Sequence, residues 1–252
     1  MKNTIYNIET QSSDKELQLR NELLDLLKKS PVSEEEYMSS LPLFLNRQSL
    51  SRILFLTEMY KKILDVHGVI MEFGVRWGSN IAIMKMLHGI YEPYNVYRKI
   101  IGFDTFTGFP SIDVKDGKNA MIQVGGHAVS ENYETYLEKI LNYHENNAPI
   151  SHIKKIELIK GDASLKLKEY LDNNPETIIS FAYFDFDIYK PTRDCLEIIM
   201  NRVTKGTVIA FDELNYPKFP GETIALMEVL GLNKYAIKRS PNSDCVSYLV
   251  IE

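Results

Sequence analysis

The sequence predicts an α/β protein with a doubly wound, mostly parallel sheet, because strand-like runs alternate with helical segments from Val69 onward. Five runs are rich in apolar residues: VIMEFGV, KIIGFDTF, IKKIELIKGD, IISFAYFDFD and TVIAFDEL. Each is followed by a segment in which apolar residues recur at helical spacing, and this alternation places helices on both faces of a parallel sheet. The last two runs, KYAIKRS and CVSYLVIE, predict an antiparallel pair at the sheet edge.

Helical spacing also marks the N-terminal region, which we interpret as a helical cap of residues 1–67 before a main domain of residues 68–252. Leucines recur along DKELQLRNELLDLLKKS, which predicts the first helix. Ser33 followed by Glu36 predicts a capping box for a short second helix. A third helix is expected over residues 47–66.

An insertion of residues 110–150 follows the second predicted strand and is rich in Gly, Asp, Asn and Tyr. Its second half, from Glu131, has the spacing of a helix, whereas its first half has no clear periodicity. Long irregular segments inside a compact domain are often binding loops or lids, so we expect this insertion to cover a site.

The composition excludes several classes of protein. The chain of 252 residues has a formal net charge of -5 and no long basic run, which argues against nucleic acid as a partner. No apolar run reaches the roughly 18 residues of a membrane span, and the N-terminal residues lack the apolar core of a signal peptide, so we expect a cytoplasmic location. The two cysteines, Cys195 and Cys245, suit neither a disulfide framework nor a zinc site.

Acidic residues lie at or directly after the carboxyl end of every predicted parallel strand. They are Glu72, Asp104, Asp162, Asp185 with Asp187, and Asp212 with Glu213. In open α/β sheets ligands bind beyond the carboxyl ends of the strands. The sequence therefore predicts a ligand site lined by carboxylates at this edge.

The loop after the first strand, EFGVRWGS, contains two glycines, Gly74 and Gly78, that lead into a helix. Glycines let a backbone approach a ligand closely, and an ordinary tight turn is the alternative explanation. The loop lacks the three-glycine fingerprint of dinucleotide sites, which disfavours NAD. Trp77 could line the ligand or serve only in packing.

Two of the acidic residues predict a site for an adenosine group. Asp104, at the end of the second strand, could accept hydrogen bonds from two ribose hydroxyls, and Asp162 could accept one from an adenine amino group. Taken singly, each could instead cap a loop. Their occurrence at successive strand ends favours the nucleoside.

The four acidic residues Asp185, Asp187, Asp212 and Glu213 predict a site for a divalent cation. Strand alternation puts Asp185 and Asp187 on one side of the chain, and the next strand ends in the other two. Four neighbouring carboxylates repel one another unless a cation or shared protons intervene. Helix caps and salt bridges to nearby basic residues are the alternative. His127, in the insertion, is either a substrate contact or proton carrier, or an exposed loop residue.

The motifs EFGVRWGSN, FDTFTGFP, KGDA, YFDFDIYKPTRDCLE and IAFDELNYPKFPGE resemble those of the macrocin O-methyltransferase type of sugar methyltransferases, which use S-adenosylmethionine (SAM). The resemblance runs from about Val69 to Asn215 and implies a Rossmann-like class I methyltransferase fold. It also implies a transfer to a hydroxyl of a nucleotide-activated or glycoside-linked sugar, of deoxyhexose or heptose type, in polysaccharide or natural-product biosynthesis.

The resemblance also implies roles for individual residues. The methionine part of SAM would lie against Glu72, Gly74, Val75, Trp77, Gly78 and Ser79, the ribose against Asp104 and Thr105, the adenine against Asp162 and Ala163, with Asp185 also beside the cofactor. A divalent metal, Mg²⁺ before Mn²⁺ or Fe²⁺, would be held by Asp185, Asp212 and Glu213. Asp187 would be the general base, and His127 and Tyr189 are candidate substrate contacts.

This chain departs from the common family pattern at two points. Glu213 stands where Asp is usual, and Arg76-Trp77 stands where the order Trp-Arg is common, which leaves the role of Arg76 open. Other functions remain open: methylation of a catechol-like phenol, a SAM-binding domain without activity, and a metal-dependent hydrolase. The helical N-terminus could support a homodimer or a larger homo-oligomer.

Overall fold

The structure, a computed structural model, describes residues 12–243 and 245–252. The chain divides into two compact units, Met1–Ile53 and Leu54–Glu252. The division falls within the third α-helix, so the last part of the predicted helical cap, residues 54–67, belongs to the larger unit. Residues 1–11 of the predicted cap lie outside the described part of the chain.

The smaller unit is helical. It contains α1 (Asp14–Lys28), α2 (Tyr37–Ser40), the start of α3 (Arg47–Lys62), and 3₁₀ turns at Glu34–Glu36 and Leu41–Phe44. The first helix, which the leucine spacing predicts, is confirmed. Among the described residues, none in α1, α2 or the two turns is buried, and the ring of Tyr37 stacks on that of Phe44.

The capping box of this unit lies at the start of α1. The Ser13 hydroxyl accepts a hydrogen bond from the Glu16 backbone N–H, and the Glu16 carboxylate accepts one from the Ser13 backbone N–H. The predicted box at Ser33 and Glu36 is wrong, because Ser33 makes no side-chain cap bond. Glu36 instead donates its backbone N–H to the Ser33 carbonyl and closes a 3₁₀ turn.

The larger unit alternates strands and helices. Its strands are β1 (Val69–Phe73), β2 (Ile100–Asp104), β3 (Ile156–Lys160), β4 (Ile179–Phe184), β5 (Val203–Phe211), β6 (Lys238–Arg239) and β7 (Ser247–Val250). Its remaining helices are α4 (Ser79–Tyr91), α5 (Tyr133–Asn146), α6 (Ala163–Asn173), α7 (Tyr189–Ile199) and α8 (Gly221–Val229). In the described ranges, no helix is both long and apolar enough to cross a membrane.

The strands form one seven-stranded sheet in the order β3-β2-β1-β4-β5-β7-β6. The first five in this order are parallel to one another, β7 runs antiparallel to β5, and β6 runs antiparallel to β7. The predicted doubly wound, mostly parallel sheet with an antiparallel edge pair is therefore confirmed. The chain reverses direction across the sheet between β1 and β4, which makes that position the switch point where ligands bind in such folds.

Both faces of the sheet are covered, and this explains the apolar strands. All residues of β1 and β4 are buried. Val69, Met71 and Phe73 pack with α6, α7 and α8 on one face, whereas Ile70 packs with α3, α4 and α5 on the other. Successive side chains of a strand point to opposite faces, so a strand covered on both sides needs an apolar residue at nearly every position.

The insertion after β2 is fastened to the rest of the unit. Its second half forms α5, which contributes Leu137 and Leu141 to the core. In its first half, the Asp116 carboxylate accepts the Tyr189 backbone N–H at 2.5 Å, at the first residue of α7. Two backbone bonds between Phe109 and the pair 125–126 close the irregular stretch.

A buried ion network joins α4, α5 and the approach to β3. Glu145 lies 2.9 Å from the Lys85 ammonium and 2.7 Å from that of Lys155, and all three side chains are at most 5% exposed. Lys155 also donates to the carbonyls of Ile150 and Ile153. The single carboxylate thus compensates two buried cations.

Replacing Glu145 with alanine should lower the free energy of unfolding by about 3–5 kcal/mol, because it leaves buried ammonium groups without their counterion. Urea unfolding followed by circular dichroism measures this. The matched control is Glu169→Ala, which removes the carboxylate of the exposed Lys166 pair and should cost at most about 1 kcal/mol. Equal losses of unfolding free energy for the two variants would contradict the role of Glu145 as the counterion of two buried lysines.

Candidate active site

The carboxyl ends of the five parallel strands bring the predicted site residues to one edge of the sheet. The loop after β1 lies between those of β2 and β4, since β1 pairs with both strands. Glu72 is fully buried in β1, two residues before Gly74. The edge thus combines a glycine loop with acidic residues from the ends of all five parallel strands.

The two glycines of the β1 loop are required by close packing within the protein. Gly74 has φ 97°, and a Cβ there would lie 2.0 Å from the Asp185 carbonyl oxygen. Gly78 has φ 80°, and its Cβ would lie 2.4 Å from Leu137. The loop is therefore pressed against the start of the β4 loop and against α5, and any larger residue would separate them.

Asp104 ties the loop after β1 to the loop after β2. Its carboxylate accepts the Arg76 backbone N–H at 2.7 Å and the Phe106 backbone N–H at 2.5 Å. Both donors have left-handed backbone conformations, with φ 48° and 57°. Burial raises the pKa of Asp104, and the backbone N–H groups of Arg76, Phe106 and Val75 oppose this. A carboxylate has about four lone-pair sites, so Asp104 can accept one further hydrogen bond, such as one from a ribose hydroxyl.

Asp162 caps the N-terminus of α6 and is exposed. Its Oδ1 accepts the backbone N–H groups of Ser164 at 3.0 Å and Leu165 at 3.3 Å. The loop-capping alternative is thus observed, and an adenine contact would use the other oxygen. Thr105 donates its hydroxyl to the Gly108 carbonyl at 2.7 Å and braces the β2 loop.

The acidic residues after β4 lie in a loop, because the strand ends at Phe184. The strand alternation expected for Asp185 and Asp187 is therefore wrong: Asp187 has φ 63°, a left-handed conformation. Asp185 accepts a hydrogen bond from the Asn80 side chain at 3.3 Å. The turn at Asp187 directs the two carboxylates to different neighbours.

A fifth carboxylate, Glu222 at the start of α8, organises this region, and the sequence reasoning missed it. Its Oε1 accepts the backbone N–H groups of Phe186 at 3.0 Å and Asp187 at 3.3 Å, and its Oε2 accepts that of Glu213 at 3.2 Å. It is fully buried. It closes the FPGE motif, whose glycine packs on α7: a Cβ at Gly221 would lie 2.4 Å from the Tyr189 backbone nitrogen.

The five carboxylates form what we call the acidic cluster: Asp185, Asp187, Asp212, Glu213 and Glu222. Burial raises the pKa of Glu222 well above its usual value, and the charges of the other four raise it further. The pKa of Asp187 is likewise raised by burial and then by Glu213 and Asp212, against the opposing charge of Arg76. Asp212 also accepts the Tyr183 hydroxyl at 2.6 Å.

His127 reaches the acidic cluster from the insertion. Its Nδ1 lies 3.7 Å from a carboxylate oxygen of Asp187, and its ring stacks on Phe109 and meets Phe219 edge-on. Burial, and then the charge of Arg76, lower the pKa of His127 to about 4. The imidazole is therefore neutral near pH 7 and can accept or donate a hydrogen bond.

The structure gives Tyr189 and Trp77 other neighbours. The Tyr189 hydroxyl donates to Glu228 at 2.6 Å and accepts from Lys115 at 3.0 Å, two residues outside the acidic cluster. Trp77 is 37% exposed and lies edge-on to Tyr133, whose hydroxyl donates to the Trp77 carbonyl. Tyr189 thus helps to fasten the insertion.

The acidic cluster is not arranged as a closed metal site. Among the described residues, no group of three His, Cys, Asp or Glu side chains has the geometry to hold a metal ion. Beyond the effect of burial, the charges of Asp212 and Glu213 raise the pKa of both Asp187 and Glu222, so these carboxylates lie within electrostatic reach of one another.

Known proteins of similar sequence and fold indicate the family to which the chain belongs. No family model matches the chain, and a search of curated proteins also gives no match. A crystal structure of the calicheamicin methyltransferase CalS11 is 42% identical, with a TM-score of 0.93 over 96% of this chain and 94% of that one. An apo structure of CalS11, described as a TDP-rhamnose 3'-O-methyltransferase, is 39% identical with a TM-score of 0.85 and covers 96% of both chains.

This chain belongs to the SAM-dependent sugar O-methyltransferases. The assignment agrees with the family that the sequence motifs resemble. The O-methyltransferase NovP, at 15% identity and a TM-score of 0.58 over 94% of this chain and 99% of its own, shares the fold. In this sugar O-methyltransferase, the acidic cluster and His127 therefore lie at the edge where the fold binds its ligands.

Replacing Glu222 with glutamine should lower the free energy of unfolding by about 1–3 kcal/mol and reduce kcat/KM at least about tenfold. Glutamine keeps one acceptor oxygen, but its NH₂ group cannot accept a hydrogen bond. The backbone N–H groups on one side of Glu222 therefore lose their acceptor. Thermal unfolding and SAM-dependent turnover measure the two effects. Glu197→Gln, on the exposed face of α7, is the control and should match the wild type. A variant with wild-type stability and turnover would refute the organising role.

Proposed function

We propose that this sugar O-methyltransferase requires a divalent cation and methylates a hydroxyl of a nucleotide-linked deoxyhexose. The observation that carries the proposal is the acidic cluster, five carboxylates at the ligand-binding edge of the sheet, where burial and then neighbouring charges raise the pKa of Asp187 and of Glu222. CalS11, with TDP-rhamnose as its described substrate, supports the choice of sugar. Natural-product or polysaccharide biosynthesis would be the setting.

SAM would lie across the loops after β1, β2 and β3. The methionine part would contact Glu72, Gly74, Val75, Trp77, Gly78 and Ser79, while Asp104 with Thr105 would bind the ribose and Asp162 with Ala163 the adenine. The hydrogen bond between Asp104 and the Arg76 backbone supports this arrangement, because it holds the loops after β1 and β2 at a fixed separation. The left-handed glycines of the β1 loop support it as well, because they fix the path of that loop. Asp185, whose backbone touches Gly74, would lie beside the sulfonium group.

The acidic cluster offers oxygen atoms that suit a hard divalent cation, although its side chains are not arranged around a common metal position. Asp185, Asp212 and Glu213 supply only oxygen ligands, which suit Mg²⁺ first and Mn²⁺ or Fe²⁺ next. A cation would offset the repulsion that raises the pKa of Asp187. When bound, it would polarise the acceptor hydroxyl and lower its pKa.

Asp187 would take the proton of the acceptor hydroxyl as the methyl group is transferred. Arg76 supports this role, because its charge opposes the rise in the Asp187 pKa. The insertion, with Phe109 and His127, would exclude water from the reacting atoms. Most of the acceleration would come from holding hydroxyl and donor methyl group together, since proximity alone can contribute several kcal/mol.

A homodimer or larger homo-oligomer remains part of the proposal. The helices and turns of the smaller unit bury none of their described residues, and several leucines, such as Leu19, Leu26 and Leu43, are exposed. A unit of this size rarely buries enough surface alone. Light scattering of the full chain would give the oligomeric state.

Replacing Asp187 with asparagine should reduce kcat by about 10²–10⁴-fold, because the amide cannot accept the proton. The affinity for S-adenosylhomocysteine should stay within about twofold of wild type. The assay follows methylation of TDP-rhamnose by mass spectrometry, and calorimetry measures the affinity. Asp172→Asn, on the exposed surface of α6, is the control. A near-normal rate in the variant would rule out the base assignment.

Removal of divalent cations should abolish turnover, and Mg²⁺ should restore it. Metal-free protein, verified by elemental analysis after EDTA treatment, should also unfold at a lower temperature than protein in 5–10 mM Mg²⁺, roughly the range in which weak magnesium sites fill. Alanine replacement of Asp212 should remove most of this thermal shift. Full activity of metal-free protein would reject the cation while leaving SAM-dependent methylation intact.

A further inference from the structure

The imidazole of His127 is held in one orientation by aromatic rings. It stacks on Phe109, with centroids 5.2 Å apart and planes at 29°, and Phe219 meets it edge-on at 6.1 Å. Both phenylalanines are buried, so the ring plane cannot rotate without disturbing the packing around it.

The backbone fixes the same residue from the other side. Phe109 donates its N–H to the Gly126 carbonyl at 2.9 Å and accepts the Gly125 N–H at 2.9 Å. A Cβ at Gly108 would lie 2.3 Å from the Gly126 carbonyl oxygen, so the two segments are in direct contact. His127 itself has φ 60°, a conformation that costs free energy for a non-glycine residue. The protein therefore maintains a strained backbone in order to present this side chain.

The two ring nitrogens have different surroundings. Nδ1 faces the Asp187 carboxylate at 3.7 Å, longer than a direct hydrogen bond, and Asp187 in the ionised form that its role as base requires favours the tautomer with its hydrogen on Nδ1. Nε2 is buried and has no hydrogen-bond partner among the described residues. Burying a polar atom without a partner costs about 1–3 kcal/mol. A ligand that donates a hydrogen bond would remove that cost.

We propose that Nε2 of His127 accepts a hydrogen bond from a non-reacting hydroxyl of the acceptor sugar, next to the hydroxyl that is methylated. This inference rests on the proposed function, in which Asp187 takes the proton from the reacting hydroxyl. Nδ1 faces Asp187, whereas Nε2, on the other side of the same ring, has no partner among the described residues, so Asp187 and Nε2 would serve neighbouring hydroxyls of one sugar. His127 is thus a specificity-determining residue.

The tautomer defines which sugars fit. Nε2 without a hydrogen can only accept, so its partner must carry a hydroxyl hydrogen. A sugar that is deoxygenated or already O-methylated at that position cannot donate and would leave Nε2 without a partner. Sites that hydrogen-bond a substrate hydroxyl discriminate strongly against analogues that lack it.

The test pairs variants with substrate analogues. His127→Phe keeps an aromatic ring without the nitrogen, and His127→Asn tolerates the left-handed backbone but loses the ring. Both are assayed with SAM, Mg²⁺ and TDP-rhamnose, and with analogues of TDP-rhamnose in which one non-reacting hydroxyl at a time is replaced by hydrogen. His67→Phe, at an exposed histidine before β1, is the matched control. Thermal unfolding and S-adenosylhomocysteine affinity verify the fold and the donor site.

We expect kcat/KM on TDP-rhamnose to fall about 10- to 100-fold in both variants, as for loss of one hydrogen bond to a substrate. On one deoxy analogue, the wild type and both variants should agree within about threefold, because the contact is already absent. The inference would be overturned if kcat/KM of the variants fell equally on every analogue, or did not fall at all. In either case, activity of the wild type would still uphold the proposed function. A wild type that methylates neither TDP-rhamnose nor its analogues would overturn both.

Discussion

Electrostatic repulsion among the half-buried carboxylates gathered around the buried Glu222 is the constraint on which the ligand-binding edge of this sugar O-methyltransferase depends. Burial raises the pKa of Asp187 and of Glu222 within the acidic cluster, and the charges of the neighbouring carboxylates raise both values further. Such a group is held only where polar groups face each member. Here backbone N–H groups face Glu222, the Tyr183 hydroxyl faces Asp212 and the Asn80 amide faces Asp185.

The parallel sheet makes these contacts possible. Its strands end together, so loops from β1, β4 and β5 are brought side by side, and Gly74 lets two of them touch. Glu222 then gathers the β4 and β5 loops through three backbone bonds from the far side of the β5 loop. The charged edge is therefore supported by main-chain groups, whose positions depend on the sheet and little on side-chain rotamers.

The sequence predicted the sheet well because strands covered on both faces must be apolar throughout, and VIMEF and ISFAYF satisfy this. The strand-end acids were also predictable, since all parallel strands end at one edge. Local geometry was not. Nothing in the residue pattern distinguishes Ser33, which makes no cap, from Ser13, which does, or shows that Asp187 turns left-handed after the strand has stopped.

Contacts between distant segments were equally hidden. Glu222 looked like an ordinary acid in the first turn of a helix, because two of its partners, Phe186 and Asp187, lie 36 and 35 residues earlier in the chain. The approach of His127 to Asp187 depends on how the insertion folds back, and its irregular half has no periodicity to indicate that path. The motif FPGE was visible, but its role depends on tertiary packing.

The fastening of the insertion has a consequence for divergence within this enzyme family. Asp116 secures one side of the irregular stretch to α7, and the pairing of Phe109 with residues 125–126 secures the other. The intervening segment can therefore change in length or composition while the sheet and the donor loops keep their structure. Variation in length is thereby confined to a short stretch whose two ends are fixed, and it leaves His127 and the donor-side loops undisturbed.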